Sequence, residues 1–124
     1  MPSAETLARF IARVEQNAHV QAIEEFYLPE ASMQENMNAP RVGREALVAN
    51  EERVLAKAKS VHSRCVGPAF VHGDLVVIRW HFRFEGHDGT VRELEELAYQ
   101  QWQGERILRE QFFYDPAPFA AGKP

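Results

Sequence analysis

The chain has 124 residues, of which 45% are hydrophobic and 26% charged, and its formal net charge is −4. That length and mixture fit one soluble globular domain, 1–124, with no room for a second core. Lys and Arg are dispersed among Asp and Glu, which excludes the concentrated positive patch that a nucleic-acid partner needs.

A single cysteine, Cys65, cannot close an internal disulfide, and nothing near it has metal-ligand spacing. A reducing, cytoplasmic setting is therefore expected. The first residues carry Arg9 and Arg13 in an amphipathic pattern rather than the uninterrupted apolar core of a signal peptide, and no apolar run is long enough to cross a bilayer.

In chain order, Ser3 is placed to cap a helix whose apolar residues Leu7, Phe10, Ile11 and Val14 recur with helical spacing, ending near Asn17. A second, shorter helix follows, with Val20, Ile23 and Phe26 or Tyr27 inward and Pro29 closing it. The pattern then changes period. Met33, Glu35 and Met37 share one face of a short strand, so a carboxylate falls among methionines.

An ionised carboxylate in such surroundings costs several kcal/mol unless it finds a partner, titrates upward or lines a wet cavity. Pro40 to Gly43 reads as a turn. The third helix runs from about Arg44 to Lys59 with Leu47, Val48, Val54, Leu55 and Ala58 inward and Glu51, Glu52, Arg53 and Lys57 as solvated charge.

Val61 to Val66 reads as a strand broken at Gly67-Pro68 and resumed from Ala69 to His72, the break bending the sheet. Three long strands then follow, Leu75 to Glu85, Val91 to Trp102 and Ile107 to Tyr114, joined by turns at Gly86 to Gly89 and at Gly104. On the first, Val76, Ile78, Trp80, Phe82 and Phe84 make an apolar wall. The tail from 116 to 124 has one large apolar residue, Phe119, and is expected to be loosely attached.

Helix, helix, short strand, helix and a bent meander of long strands is an order that resembles the nuclear transport factor 2-like cone fold. The likeness is to its SnoaL-like polyketide cyclase and ketosteroid isomerase branch. The residues that carry it are the stretch from Phe26 to Glu35, the stretch Pro40-Arg41-Val42-Gly43-Arg44-Glu45-Ala46-Leu47, and the closing stretch Tyr99 to Ile107. The resemblance implies an α+β class, with three N-terminal helices packed on a strongly bent, mostly antiparallel sheet around a pocket. One fold hosts many functions, so it does not by itself fix an activity.

Residue by residue, the resemblance puts Glu35 where ketosteroid isomerases hold their proton-shuttling carboxylate. It puts Phe10 where the family has an oxyanion-hole tyrosine, and Ala98 at or next to the acid of the penultimate strand. With both groups missing, steroid isomerisation is disfavoured, since such donors contribute roughly 3 kcal/mol each.

Two more carboxylates are candidates. Leu108, Glu110, Phe112 and Tyr114 share the more apolar face of the last strand. For the middle strand both faces compete, and the even set, with Leu94, Glu96, Ala98, Gln100 and Trp102, is favoured inward because Glu93 and Glu95 then stand beside outward Arg79 and Arg83. Glu96 and Glu110 would then be close, and two close carboxylates push one pKa up, as acid–base chemistry requires.

The candidate catalytic residues are therefore Glu35, Glu110 and Glu96, and the candidate ligand walls are Trp80, Phe82, Trp102, Phe112, Tyr114, Phe10 and Met33. Each acid has a structural alternative as a hydrogen-bonded or salt-bridged group, Arg41 being one partner for Glu35. The histidines share no face or metal spacing; His19 and His87 fall in turns or caps and His81 on the outer face. No metal or cofactor is expected.

Two functions follow. One is a cofactor-free cyclase or isomerase moving protons on a small apolar or aromatic molecule. The other is a non-catalytic ligand-binding or dimerisation module. In either case a symmetric homodimer through the outer sheet face is expected.

Overall fold

The computed structural model describes residues 1–120. Its first helix, α1 (Ala4–Glu15), starts where the sequence indicates: the Ser3 hydroxyl accepts from the Thr6 N–H at 3.1 Å, and Glu105 takes hydrogen bonds from Ser3 and Thr6. One side chain thus caps the helix and ties it to the far end of the sheet. Thr6, Leu7, Phe10 and Val14 form the buried stripe.

Helix α2 (His19–Phe26) buries Ala22, Ile23 and Phe26 and stops at Phe26, because Leu28 precedes a proline and such a residue avoids helical dihedrals. Pro29 thus ends the helix from three residues beyond it and itself lies inside strand β1 (Tyr27–Glu35). It is tolerated there because the pairing of β1 with the last strand shifts register between Tyr27 and Ser32, where no ladder bond is asked of it.

The apolar alternation proposed for β1 ends early. Met37 lies beyond the strand and is 83% exposed. Pro40 to Gly43 is also more than a turn, since β2 (Arg41–Val42) pairs antiparallel with Ser32 and Met33.

Helix α3 (Arg44–Ala56) is shorter than its pattern indicated: Ala58 already begins β3 (Ala58–Cys65), and Val54 is exposed while Leu47 is buried. Then come β4 (Phe70–His72), β5 (Leu75–Gly86), β6 (Val91–Gln103) and β7 (Arg106–Tyr114), close to the expected bounds. Gly104, with φ 62°, is the first residue of the two-residue turn between β6 and β7, the left-handed position for which glycine is suited. A short α4 (Ala117–Ala120) follows; Phe119 in it stacks edge-on against Phe84 at 5.7 Å, and residues 121–124 of the expected loose tail lie outside the described ones.

The strands form one curved, unclosed sheet in the order β2-β1-β7-β6-β5-β3, with β4 also on β5; β1 runs parallel to β7 and the remaining pairs are antiparallel. The helices cover its inner face. Even-numbered residues of β5 and β6 point inward: Val76, Ile78, Trp80, Phe82, Leu94, Ala98, Gln100 and Trp102 are buried. Outside, Arg79 pairs with Glu95 at 2.6 Å and Arg83 is the cross-strand neighbour of Glu93, as the parity argument called for, while the Glu93 carboxylate itself lies 3.3 Å from the His81 imidazole.

On β7 a bulge changes the inward set. Gln101 faces Arg109 but Trp102 faces Ile107, so Leu108 is the extra residue and Ile107 takes the buried position that simple alternation gave to Leu108. Phe10 anchors the helices to this wall, edge-on to Phe26 at 5.4 Å and to Trp102 at 5.9 Å. Rings in this geometry add about 0.5–1.5 kcal/mol per pair beyond the area they bury.

Candidate functional site

Helices and inner sheet face enclose a cavity of about 290 Å³. Its walls are mostly aromatic and aliphatic: Phe10 from α1, Ile23 from α2, Tyr27 and Met33 from β1, Trp80, Phe82 and Phe84 from β5, Leu94 from β6, Phe112 and Tyr114 from β7, and Phe119. Into this lining project four carboxyl groups, Glu35, Glu51, Glu96 and Glu110, together with His19 and Arg41. Apolar walls with a few convergent polar groups are the usual build of a small-molecule site.

Glu110 is the most enclosed of the acids, only 3% exposed. Tyr27 donates its phenolic O–H to one carboxyl oxygen, and Gln100 Nε2 donates to the other at 2.6 Å. Burial raises its pKa, the two donors pull it back, Glu51 adds a small push, and the balance is about 7. The same contact, after burial itself, holds the Tyr27 phenol well above its ordinary pKa.

Glu96 lies farther along the sheet: Glu110 faces Gln100 on β6, four residues from Glu96, so the two acids expected to be close do not share a cross-strand position, and their environments differ. Trp80 is the cross-strand neighbour of Glu96 on β5 and Tyr114 on β7, and among the described residues no hydrogen bond or ion pair reaches its carboxyl. Burial first, then the negative charges of Glu110, Glu35 and Glu51, raise its pKa to about 8.

Glu35 also lines the cavity but is exposed, so the carboxylate read as sitting among methionines lies at the cavity's edge. It accepts a 2.7 Å hydrogen bond from the Tyr114 phenol, not from Arg41, and Tyr114 is pushed up by burial and by that carboxylate.

Of the proposed wall residues, Phe10, Met33, Trp80, Phe82, Phe112 and Tyr114 line the cavity. Trp102 does not. It is buried behind the wall, where its indole N–H donates to Gln100 Oε1 at 2.9 Å. An indole is a donor only, so it fixes which end of the Gln100 amide faces Glu110.

The chain from Leu7 to Glu110 matches the family model of the SnoaL-like domain. The chain belongs to the SnoaL-like family. Solved structures agree on the fold, that of the nuclear transport factor 2-like superfamily. A protein from Jannaschia sp. CCS1, provisionally assigned as a SnoaL-like polyketide cyclase, superposes with a TM-score of 0.79 at 14% identity, over 97% of this chain and 92% of that one. A ketosteroid isomerase-like protein from Catenulispora acidiphila, solved with trimethylamine, gives 0.80 at 20% identity over 98% and 95%. IdmH of Streptomyces antibioticus, provisionally a polyketide cyclase, gives 0.75 at 18% over 95% of each chain. Among curated proteins none matches in sequence.

Within this SnoaL-like cavity two groups escaped the sequence reading. Tyr27 brings a phenol to the buried acid although Phe10 brings none; it points inward directly after inward Phe26 because the helix becomes a strand between them. The second is the pair His19 and Glu51. His19 Nδ1 lies 3.3 Å from Glu51 Oε2 and Nε2 lies 2.7 Å from the Ser63 hydroxyl, and the ring packs edge-on against Phe82 at 5.6 Å. Facing a carboxylate, Nδ1 carries the proton, which leaves Nε2 to accept from Ser63 in the neutral ring.

Glu51, read as solvated charge because it sits beside Glu52 and Arg53, is therefore a cavity residue with 20% of its side chain exposed. Among the described residues no group of three or more metal-ligating side chains converges.

Proposed function

We propose that this SnoaL-like chain binds a small, largely apolar carbonyl compound and moves protons on it without a cofactor, with Glu96 and Glu110 as the working pair. One observation carries the reading: two carboxyls on adjacent strands face one apolar cavity, with pKa values of about 8 and about 7. Near neutral pH such a pair holds one proton more readily than none or two, so base and acid are present together.

The carboxylate member takes an α-proton. The C–H electron pair moves into the carbon–carbon bond, and the carbonyl oxygen receives the proton of the other member, giving an enol. The reverse transfers return the proton to carbon and restore both groups. Glu35, hydrogen-bonded to Tyr114 at the cavity's edge, is in reach of the same ligand and is the third acid of the scheme.

The reading makes the protein an isomerase or cyclase of the acid–base type. A second reading rests on Glu110 itself: both its oxygens already have donors, which is what a purely structural buried acid requires. In that case the cavity binds a ligand and transforms nothing.

Exchange of the α-hydrogens of 2-tetralone in D2O, followed by proton NMR, separates the two. Wild-type protein is expected to accelerate exchange, and Glu96→Gln and Glu110→Gln each to lower the rate by roughly 100-fold. Binding without accelerated exchange would leave the ligand-binding module as the function.

We place the protein in a reducing cytoplasm, on the strength of its lone Cys65, and as a homodimer through the outer sheet face. Support for the dimer is a patch of Leu97, Tyr99 and Phe113, each more than 40% exposed, ringed by the alternating Arg79–Glu95 and His81–Glu93 pairs.

A further inference from the structure

Across one row of the inner sheet face the cross-strand neighbours are Trp80, Glu96 and Tyr114. All three line the cavity, so a carboxyl without a partner among the described residues is flanked on both sides by aromatic rings. Phe82 lies parallel to Trp80, with ring centroids 5.8 Å apart, and extends the aromatic surface.

Proton transfer on a carbonyl compound accounts for a carboxyl at this place, but not for aromatic rings on both sides of it. An unpaired carboxyl between π faces offers something else: ring faces attract cations through their quadrupole, by about 0.5–2 kcal/mol, and the carboxylate adds a direct ion pair in a desolvated site.

The ring of other charges points the same way. Glu110 on β7, Glu35 on β1 and Glu51 on α3 all bear on Glu96, and each pushes it toward its neutral form. The one fixed positive charge in the lining is Arg41 on β2, and the His19 imidazole on α2 is engaged with Glu51. The tyrosines Tyr27 and Tyr114 donate to Glu110 and Glu35, while among the described residues no donor reaches Glu96. Four acids share this lining with a single arginine.

We propose that the cavity takes a small organic cation, a protonated or quaternary amine on an apolar body, with its charge seated on the Trp80–Glu96–Tyr114 row. This rests on the proton-transfer reading and deepens it. A cation on the row favours the carboxylate form of Glu96, which makes it the base of the pair. Because Glu96 without a ligand titrates at about 8, binding at neutral pH expels a proton to solvent. Affinity for a cation that does not itself titrate therefore rises with pH until Glu96 is ionised in the free protein.

The test compares choline with its uncharged isostere 3,3-dimethylbutan-1-ol, following the Trp80 indole N–H by NMR, with Trp102 as the internal reference behind the wall. Choline is expected to shift the Trp80 signal and to bind at least about tenfold more tightly than the alcohol near pH 9. That preference is expected to shrink by about tenfold near pH 6. Glu96→Gln, a near-isosteric change, is expected to remove the preference for choline over the alcohol.

Equal or tighter binding of the alcohol in the wild type at high pH overturns the cation inference and leaves the pocket reading standing. A cation preference that survives in Glu96→Gln overturns the assignment to this row. If neither compound perturbs Trp80 while 2-tetralone does, the cation inference fails alone; if none of the three does, both readings fail.

Discussion

Gln100 donates a 2.6 Å hydrogen bond to Glu110, and the Trp102 indole, donating to the amide oxygen, holds the NH2 end toward that acid. Indole, amide, carboxyl and the Tyr27 phenol thus form one directional chain that ends on a buried acid. Donors to a carboxylate favour its charged form. Removing one, by Gln100→Leu or Tyr27→Phe, is expected to move the Glu110 titration above its present value of about 7. Carboxyl-labelled NMR titration reads this directly, with Glu110→Gln assigning the signal. A Glu110 titration that stays in place in both variants would show that the two bonds do not hold the charge.

Stability should follow pH in the direction these acids dictate. Glu96 and Glu110 both titrate higher folded than the ordinary glutamate value, so between roughly pH 4.5 and pH 8 the native state binds more protons than the unfolded chain. Stability is then lost as pH rises through that window, by a few kcal/mol in total, and levels off above it. Urea denaturation at about pH 5 and about pH 8.5 is expected to show the higher midpoint at the lower pH. Glu96→Gln, which removes a buried charge with no partner among the described residues, is expected to narrow the gap. A midpoint that climbs with pH would contradict the burial of both groups.

The pair formed by His19 and Glu51 gives a separate prediction. His19 bridges α2 to α3 through Glu51 and to β3 through Ser63, so two helices and an outer strand meet at one ring. His19→Ala removes the bridge and the Phe82 contact and leaves Glu51 beside an apolar wall, for an expected loss of roughly 1–3 kcal/mol. A double-mutant cycle of His19→Ala with Ser63→Ala is expected to show a coupling above about 0.5 kcal/mol. Strict additivity would make the 2.7 Å contact energetically empty.

Most of the frame could be read from period and punctuation. Alternation over Leu75 to Glu85, the Ser3 cap and the glycine turns gave long strands and a first helix near their true bounds, and the charge rows of β5 and β6 decided which face is inner. What could not be read was local. Leu108 exchanged with Ile107 because a bulge, which leaves no mark in apolar spacing, reset the parity of β7. Tyr27 was ambiguous because a helix and a strand meet beside it, and neither period places both Phe26 and Tyr27 inward.

Glu51 and His19 were missed for another reason. A charged residue on a charged helix face reads as solvated unless one knows that the helix crosses the mouth of a cavity, and that knowledge is tertiary. Trp102 was read as wall from its parity alone, which was right about its face and silent about its depth.

The outer face carries the last prediction. On β6 and β7 Leu97 is paired with Phe113, and Tyr99 lies two residues along the same face of β6, so these exposed apolar residues adjoin rather than scatter. Beside them Arg79 and Glu95 form a pair whose two charges a second copy, turned about a two-fold axis, could exchange. Burying this patch against itself costs no unpaired charge, and a charge placed in its centre would be buried without a partner. Sedimentation equilibrium is expected to give a dimer for the wild type at micromolar concentration and a monomer for Leu97→Asp, with the far-UV circular dichroism unchanged. Restoring the apolar centre with Leu97→Met is expected to restore the dimer. A wild-type monomer under these conditions would leave the patch to solvent and remove the dimer from the description of this protein.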